Sequence, residues 1–239
     1  MSTFVLVHGA MHGGWCWRHV QARLVARGHD AHRPTLTGQG DRRAALSAGV
    51  GIADHVRDIE ELLWFEDLSE VHLVLHSYAG VLAGPLAERT KGRLASVVFA
   101  GAFVTAPGQS LLDVEPASVV EHYRRLAAED GDGWYIPASD AFLEQWGIRD
   151  PALRAYVAPR LTDFPFRCQA EPAEFDPEPL ARLRKVYVRH TDPPMASLEP
   201  FYEMAVALGW ETHELQAGHD MMLAAPEATA ELLARIAGD

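Results

Sequence analysis

Cysteine is scarce in this chain. Only Cys16 and Cys168 occur among 239 residues, and they lie far apart in the sequence. Small secreted domains held by disulfides carry many cysteines, and structural zinc sites pair theirs at close spacing, so the sequence argues against both classes. We expect both thiols to be buried as small apolar groups.

Positive charge is also in deficit. The chain has 21 Lys and Arg residues against 33 Asp and Glu residues, which gives a formal net charge of −12. A charge of this sign repels the phosphate backbone of nucleic acids and anionic membrane surfaces. The sequence therefore predicts neither a nucleic-acid partner nor a membrane partner.

The N-terminal region lacks the marks of a targeting segment. Met1 is followed by two small polar residues and then directly by the apolar run 4–7, with no basic region, long apolar segment or cleavage site. This pattern predicts a cytoplasmic protein. The sequence leaves the oligomeric state open, and a homodimer is the assembly that we consider.

An ordinary composition and a regular alternation of apolar runs with helical patterns indicate one α/β domain. Apolar residues make up 48% of the chain and charged residues 23%, as in folded globular proteins. Short apolar runs alternate with helical patterns, which predicts a mostly parallel six-stranded sheet with helices on both faces. The predicted strands are 4–7, 30–33, 71–75, 94–100, 185–189 and 211–215, and the predicted helices are 17–27, 53–65, 78–89, 198–208 and 226–236.

The alternation fails between residues 107 and 179. This segment has helical pieces separated by proline and glycine, so we predict a mainly helical cap at 107–179 inserted into a core of residues 1–106 and 180–239. Its aromatic side chains either contact substrate or form the core of the cap itself. They are Trp134, Tyr135, Phe142, Trp146, Phe164 and Phe166.

Ser77 follows a predicted buried strand and precedes a predicted helix. The hexapeptide 75–80 reads Leu-His-Ser-Tyr-Ala-Gly, which is similar to the nucleophile elbow G-x-S-x-G except that Leu75 and Ala79 replace the two glycines. An elbow exposes one serine hydroxyl at the carboxyl edge of a sheet. The alternative reading is a serine that only caps a helix.

A nucleophilic serine needs a histidine base and a carboxylate that orients it, in the chain order serine, acid, histidine. His219 lies just past the last predicted strand, where the base is expected. Asp192 lies just past the preceding strand and is predicted to be the acid, although an aspartate before two prolines also fits a turn. Asp220 is the rival acid. We assign it a supporting role, because a residue adjacent to His219 cannot easily reach the Nδ1 atom of that ring.

An oxyanion hole requires two backbone N–H groups that face the developing negative charge. The N–H of Tyr78, directly after the serine, is one predicted donor. The second is expected in the loop after the first strand, where we favour Ala10 over its neighbour Met11.

With these residues placed, the chain resembles the α/β-hydrolase superfamily, and within it the small esterases similar to plant methyl esterases and hydroxynitrile lyases, with their bacterial relatives. The resemblance covers nearly the whole chain. It rests on residues 4–17, 34–42, 76–77, 191–192 and 218–219, and on the cap segment 150–165.

The resemblance implies Ser77 as nucleophile, His219 as base, Asp192 as acid, and the N–H groups of Ala10 and Tyr78 as oxyanion hole. It also favours ester hydrolysis. Hydroxynitrile lyases of this group have a threonine at the position of Gly9 and a lysine at that of Asp220, and this chain has neither. The interval from Thr191 to the acid is one residue shorter than in many relatives.

The sequence therefore predicts a serine hydrolase that cleaves a carboxylic ester of a small, neutral or weakly polar molecule through an acyl-enzyme. This chemistry requires no metal ion or cofactor. Leu75 keeps open a non-hydrolytic enzyme on the same fold, such as a lyase, a cofactor-free oxygenase or a natural-product tailoring enzyme. A binding protein that retains a hydrolase pocket is the third alternative.

Overall fold

A computed structural model describes residues 1–90 and 92–238. The strands are β1 Thr3–Val7, β2 Asp30–His32, β3 Val71–His76, β4 Leu94–Ala100, β5 Tyr135–Ile136, β6 Phe164–Pro165, β7 Arg184–His190 and β8 Glu211–Leu215. All but β5 and β6 form one sheet in the order β2-β1-β3-β4-β7-β8. Each neighbouring pair in this sheet is parallel, which confirms the predicted fold class.

Helices connect these parallel strands and cover both faces of the sheet. The α-helices are α1 Arg18–Ala26, α2 Ile52–Phe65, α3 Ala83–Arg89, α4 Ala117–Glu129, α5 Ala141–Gln145, α6 Pro151–Val157, α7 Arg167–Ala170, α8 Pro177–Arg182, α9 Glu199–Ala207, α10 Met221–Ala224 and α11 Pro226–Ile236. Helix α1 packs against α11, whereas α2 and α8 both pack against α3.

The core explains why the central strands read as continuous apolar runs. Strand β3 pairs with β1 through Val7 and Leu75 and with β4 through Leu75 and Phe99, and all three side chains are fully buried. Strands covered on both faces cannot alternate polar with apolar residues. The two thiols, Cys16 and Cys168, are free and buried within this packing.

The chain between β4 and β7 lies outside the main sheet. It holds helices α4 to α8 and the short antiparallel pair β5 and β6, in which Tyr135 faces Pro165. Side chains from this segment line the cavity above the carboxyl ends of the strands. The exact cap limits, residues 107 and 179, stay a prediction. Among the described residues, no helix is both long and apolar enough to cross a membrane.

Candidate active site

Ser77 occupies a strained turn between β3 and the 3₁₀ segment Ser77–Leu82. Its φ is +55°, in the left-handed region that residues other than glycine rarely adopt. Strain of this kind costs about 1–3 kcal/mol and persists where the surrounding structure enforces it. The turn puts the serine side chain at the carboxyl edge of the sheet, as the sequence predicts.

The close approach that requires glycine falls at Gly80. A Cβ atom at Gly80 would overlap the backbone carbonyl of Phe103, so this position needs a residue without a side chain. Leu75 instead lies inside β3, with its side chain fully buried in the core. The close contact in this turn is therefore made at Gly80 and not at Leu75, where the motif pattern places a glycine.

His219 lies in the loop between β8 and α10, and its ring faces Ser77. The Nε2 atom of His219 is 2.9 Å from the Oγ of Ser77. The Nε2 of His76 donates a hydrogen bond of 3.0 Å to the backbone carbonyl of His219, which fixes the loop beside the elbow. The two residues that the sequence predicts as nucleophile and base are thus in hydrogen-bond contact.

Burial makes the neutral form of His219 the favoured one. Loss of hydration lowers the pKa of His219 well below its usual 6.5, and the neighbouring rings of His76, His190 and His12 lower it further. A neutral imidazole can accept the serine proton. The ring is therefore in the protonation state that a general base requires.

The other ring nitrogen of His219 faces a second histidine rather than a carboxylate. Within the described part of the chain, His219 Nδ1 and both ring nitrogens of His190 are buried without a hydrogen-bond partner. The two ring centroids are 5.0 Å apart. A Cβ atom at Gly101 would lie 2.9 Å from His190 Nδ1 and 3.5 Å from His219 Nδ1, so this glycine leaves room for both rings.

Asp192 does not contact His219 in this structure. Its side chain is 55% exposed and pairs with the Nη1 of Arg149 at 3.1 Å. The backbone N–H of Asp192 bonds to the carbonyl of Ala217, so the chain continues past β7 with His190 facing inward and Asp192 facing solvent. Asp192 thus follows the inward-facing His190 by only two residues, but its carboxylate points away from His219.

The second oxyanion donor is predicted to lie in the loop after β1. The N–H of Met11 donates to the Oε1 of Gln39 at 3.0 Å and is therefore occupied. Ala10 lines the cavity beside Ser77 and Tyr78. This geometry favours the N–H of Ala10 over that of Met11.

Three hydrogen bonds tie the same loop, together with Gln39 and Gly40 from the segment after β2, to the cap segment. The N–H of Thr162 donates to the carbonyl of Met11 at 3.0 Å, and its hydroxyl accepts from the N–H of Gly40 at 3.1 Å. The Nε2 of Gln39 donates to the carbonyl of Asp163 at 2.9 Å. Gln39 therefore joins the loop to the cap through both ends of its amide.

Asp220 forms a buried ion pair with His12. The Oδ2 of Asp220 is 3.2 Å from His12 Nε2, while His12 Nδ1 donates to the carbonyl of Ala10 at 2.8 Å. Burial lowers the pKa of His12, but the Asp220 carboxylate outweighs this effect, and the pKa is raised overall. Through His12, Asp220 thus supports the loop after β1 rather than the ring of His219, in line with its predicted supporting role.

A small cavity of about 40 Å³ lies above Ser77 and His219. Glu115, Tyr123 and Gln169, all from the segment between β4 and β7, line it together with Trp146. Trp146 was predicted from the sequence, but the other three were not. Glu115 lies in a bend, Gln169 in the four-residue helix α7 and Tyr123 on the longer helix α4, and none of them belongs to a motif. Of the cap aromatics, Phe164 is fully buried and packs against Tyr78, so the set divides between core and cavity.

No metal-binding arrangement is visible in residues 1–90 and 92–238. No group of three or more His, Cys, Asp or Glu side chains in these ranges has the geometry to hold a metal ion.

Comparison with known proteins identifies the family of the chain. The sequence profile described as "Alpha/beta hydrolase family" matches residues 4–232. The "Carbendazim hydrolyzing esterase" of Nocardioides sp. (strain SG-4G) is 32% identical over 99% of this chain and 100% of its own length. "Methylesterase 7" of Arabidopsis thaliana is 36% identical, but over only 43% of this chain and 40% of its own.

Solved structures show the same fold at lower identity. An extracellular α/β-hydrolase from a Paenibacillus species superposes with a TM-score of 0.86 at 20% identity and covers all of both chains. Tomato methylketone synthase I, complexed with 2-tridecanone, has a TM-score of 0.78 at 19% identity over 99% of this chain and 97% of its own. From the profile match and the full-length relative, the chain belongs to the alpha/beta hydrolase family.

Proposed function

We propose that the protein is a serine esterase that hydrolyses carboxylic esters of small, neutral or weakly polar molecules. The observation that carries this proposal is the 2.9 Å contact between Ser77 Oγ and His219 Nε2 at a strained strand-to-helix turn. The full-length relative is itself an esterase, which supports the same reaction class.

The reaction proceeds through an acyl-enzyme. Ser77 Oγ attacks the ester carbonyl while His219 Nε2 takes its proton, and the C–O bond to the leaving group breaks as His219 returns that proton to the alcohol. Water then attacks the acyl-serine with His219 again as base. This second step releases the acid and restores Ser77.

The oxyanion is held by the backbone N–H groups of Ala10 and Tyr78. The ion pair of His12 and Asp220 supports this assignment, because His12 bonds the carbonyl of Ala10 and so fixes the orientation of the loop. The side chain of Tyr78 is anchored by its hydroxyl, which lies 2.9 Å from His55 Nδ1. Removing one such backbone donor typically costs about 100- to 1000-fold in rate.

The role of Asp192 as the triad acid stays a prediction. Its carboxylate would have to leave Arg149 and turn inward to reach His219 Nδ1, because it is half exposed in the present arrangement. The proposed nucleophile, base and oxyanion donors do not depend on that movement.

Ester hydrolysis is favoured over cyanide release by two positions. A Cβ atom at Gly9 would lie 2.8 Å from Ser77 Cβ and 3.0 Å from His76 Nδ1, so the threonine of the lyase pattern does not fit there without a shift. Asp220 places a negative charge where that pattern has a lysine, and it is already paired with His12.

We place the esterase in the cytoplasm, where two unpaired thiols are ordinary. Fractionation of the source cells with an activity assay tests the location, and light scattering after size exclusion distinguishes a monomer from a homodimer.

Ser77→Ala is the decisive variant. The wild-type protein is expected to hydrolyse p-nitrophenyl acetate with an initial burst and to be labelled by a fluorophosphonate at Ser77. Carbendazim, named for the relative from Nocardioides, joins the first substrate panel. Unchanged turnover in Ser77→Ala would falsify the proposal.

A non-hydrolytic reaction is the second candidate, and one observation favours it. Without a carboxylate at Nδ1 in the described structure, the ring of His219 lacks the partner that fixes its tautomer in a serine hydrolase. Ser77 would then act as a hydrogen-bond donor. Conversion of a substrate by Ser77→Ala, without a serine adduct in the mass spectrum of the wild type, would support this alternative.

A further inference from the structure

His190 is a buried histidine to which the reaction described above gives no role. It is the last residue of β7 and is only 2% exposed. Within residues 1–90 and 92–238, both ring nitrogens of His190 and the Nδ1 of His219 are buried without a hydrogen-bond partner. Buried polar groups of this kind are uncommon in folded proteins, and each one needs an explanation. The three nitrogens belong to neighbouring rings, so a single contact between the rings would partner two of them.

The two rings lie close enough to bond to one another. Their centroids are 5.0 Å apart, and their planes are inclined by 60°. Both Nδ1 atoms border Gly101, because a Cβ atom there would lie 2.9 Å from that of His190 and 3.5 Å from that of His219. The χ2 torsion of histidine has a broad energy minimum, so a small rotation of either ring costs little. The centroid separation is compatible with an N–H···N hydrogen bond once the two nitrogens face each other.

His190 has the protonation state that an acceptor requires. Burial lowers the pKa of His190 to about 4, and the positive charge of Arg189 acts in the same direction. The negative charges of Glu199 and Asp220 oppose this effect without cancelling it. The ring is therefore neutral at pH 7, and one of its nitrogens carries a free lone pair. Such a ring can accept the proton that the Nδ1 of His219 would donate.

The neighbouring carboxylates are engaged elsewhere. Asp192 faces solvent and pairs with Arg149, whereas Asp220 pairs with His12. In the described part of the chain, neither of them bonds to the Nδ1 of His219. An acceptor at this nitrogen matters, because only the Nδ1–H form of the ring leaves Nε2 free to take the serine proton.

We propose that His190 is the positioning residue of the base: its neutral ring accepts a hydrogen bond from the Nδ1–H of His219 and keeps the Nε2 lone pair directed at Ser77. This inference rests on the proposed esterase function and gives the role predicted for Asp192 to a histidine. During the reaction, His219 gains the serine proton at Nε2 and keeps its own proton at Nδ1. His190 therefore stays neutral throughout.

The tautomer of His219 is measured by NMR on protein labelled with ¹⁵N-histidine at pH 7. The two nitrogens of a neutral imidazole differ in ¹⁵N shift according to which one carries the proton, and the signals of His219 are those lost in His219→Gln. We expect the proton on Nδ1 in the wild type and in His190→Asn, whose amide oxygen lies near the place of the original Nδ1. Leucine has nearly the shape of asparagine but no acceptor. In His190→Leu the proton should therefore move to Nε2, where the serine oxygen accepts it.

The rate of ester hydrolysis separates positioning from packing. With p-nitrophenyl acetate, His190→Leu should lower kcat by about 100-fold at nearly constant KM, the lower end of what a general base contributes. His190→Asn should recover most of this loss. A residue that only packs would favour leucine, because burying an amide costs more than burying an apolar group. Thermal unfolding of each variant shows that it is folded.

His72→Leu is the matched control. His72 also lies on a strand of the main sheet, near the amino end of β3, and its Nδ1 bonds to the hydroxyl of Ser96 at 2.8 Å. The active site lies at the opposite edge of the sheet. This substitution should leave both the tautomer of His219 and kcat unchanged.

The outcomes separate this inference from the proposed function. A proton on Nε2 of His219 in the wild type, a proton on Nδ1 in His190→Leu, or equal kcat in His190→Leu and His190→Asn would each overturn the inference. Loss of the Nδ1 proton in Asp192→Leu alone would return the role to Asp192. The NMR result does not depend on turnover. A tautomer that follows His190 in a protein without ester hydrolysis would keep the contact and remove the proposed reaction.

Discussion

His12 and Asp220 form an ion pair of 3.2 Å in which both side chains are almost completely buried. Through its other ring nitrogen, His12 holds the carbonyl of Ala10, so the pair joins the residue after His219 to the loop after β1. The two sides of the proposed catalytic site are thus connected beneath the cavity by a charge interaction.

Asp220→Asn should destabilise the fold by about 3 kcal/mol, because breaking a buried pair leaves its partner uncompensated. The pKa of His12 is raised in the folded state, so this stabilisation is full below the unfolded value near 6.5 and is lost as the pH rises through the raised value. Urea unfolding should therefore show a larger difference at pH 6 than at pH 9. Asp41→Asn, at an exposed carboxylate, is the control and should have little effect at either pH. A difference that grows with pH contradicts the ion pair.

The pH profile of ester hydrolysis should follow the burial of His219. Since its pKa lies well below 6.5, kcat/KM for p-nitrophenyl acetate should stay level from pH 8 down past 6.5 and fall only in more acidic buffer. Rates in buffer without enzyme are subtracted at each pH. A fall centred at or above pH 6.5 would show that a group other than the buried, neutral ring controls the reaction.

Asp192→Asn distinguishes the observed arrangement from the triad that the sequence predicts. Because the Asp192 carboxylate is exposed and paired with Arg149, its substitution should lower kcat/KM by less than about 10-fold, in the range of a surface ion pair. Arg149→Gln, which breaks the same pair, should behave alike. A loss near 10⁴-fold in Asp192→Asn alone is the effect of removing a triad acid, and would mean that Asp192 turns inward during catalysis.

Glu115→Gln should change how stability depends on pH. The pKa of Glu115 rises from 4.5 to about 7 on folding, so the folded state binds more protons between these values and wild-type stability falls as pH increases. Relative to wild type, Glu115→Gln should gain about 2 kcal/mol between pH 5 and pH 8, after allowance for the exposed part of the side chain. Glu121→Gln, exposed on α4, is the control and should show no such gain. A gain toward acid pH instead would reverse the proposed protonation.

The main sheet was predictable because buried parallel strands leave a clear signal. All six predicted strands occur with bounds shifted by at most one residue, as in the predicted 71–75 against the observed Val71–His76. Ser77 and His219 came together for the same reason, since Ser77 directly follows β3 and His219 lies in the loop after β8, and the carboxyl ends of these strands share one edge of the sheet.

The side chains around the base could not be predicted with equal success. Whether Asp192 or His190 lies beside His219 depends on how the chain turns at the end of β7, where the backbone N–H of Asp192 donates to the carbonyl of Ala217. Residue type does not reveal this turn. Glu115 lies in a bend before α4 and Gln169 in the four-residue helix α7, where no periodicity relates the sequence to a cavity. Gly80 was missed because its contact partner, Phe103, lies outside the hexapeptide, in the chain after β4.

The hydrogen bonds of Gln39 connect the cap segment to the loop after β1, which contains Ala10 and Met11. Its amide oxygen fixes Met11 while its amide nitrogen holds Asp163, and Thr162 closes the connection from the cap side. Lifting this part of the cap to admit a substrate would pull directly on the peptide next to Ala10. The position of the cap and the orientation of the peptide that precedes Met11 are therefore linked through the side chain of Gln39 and the backbone of Thr162.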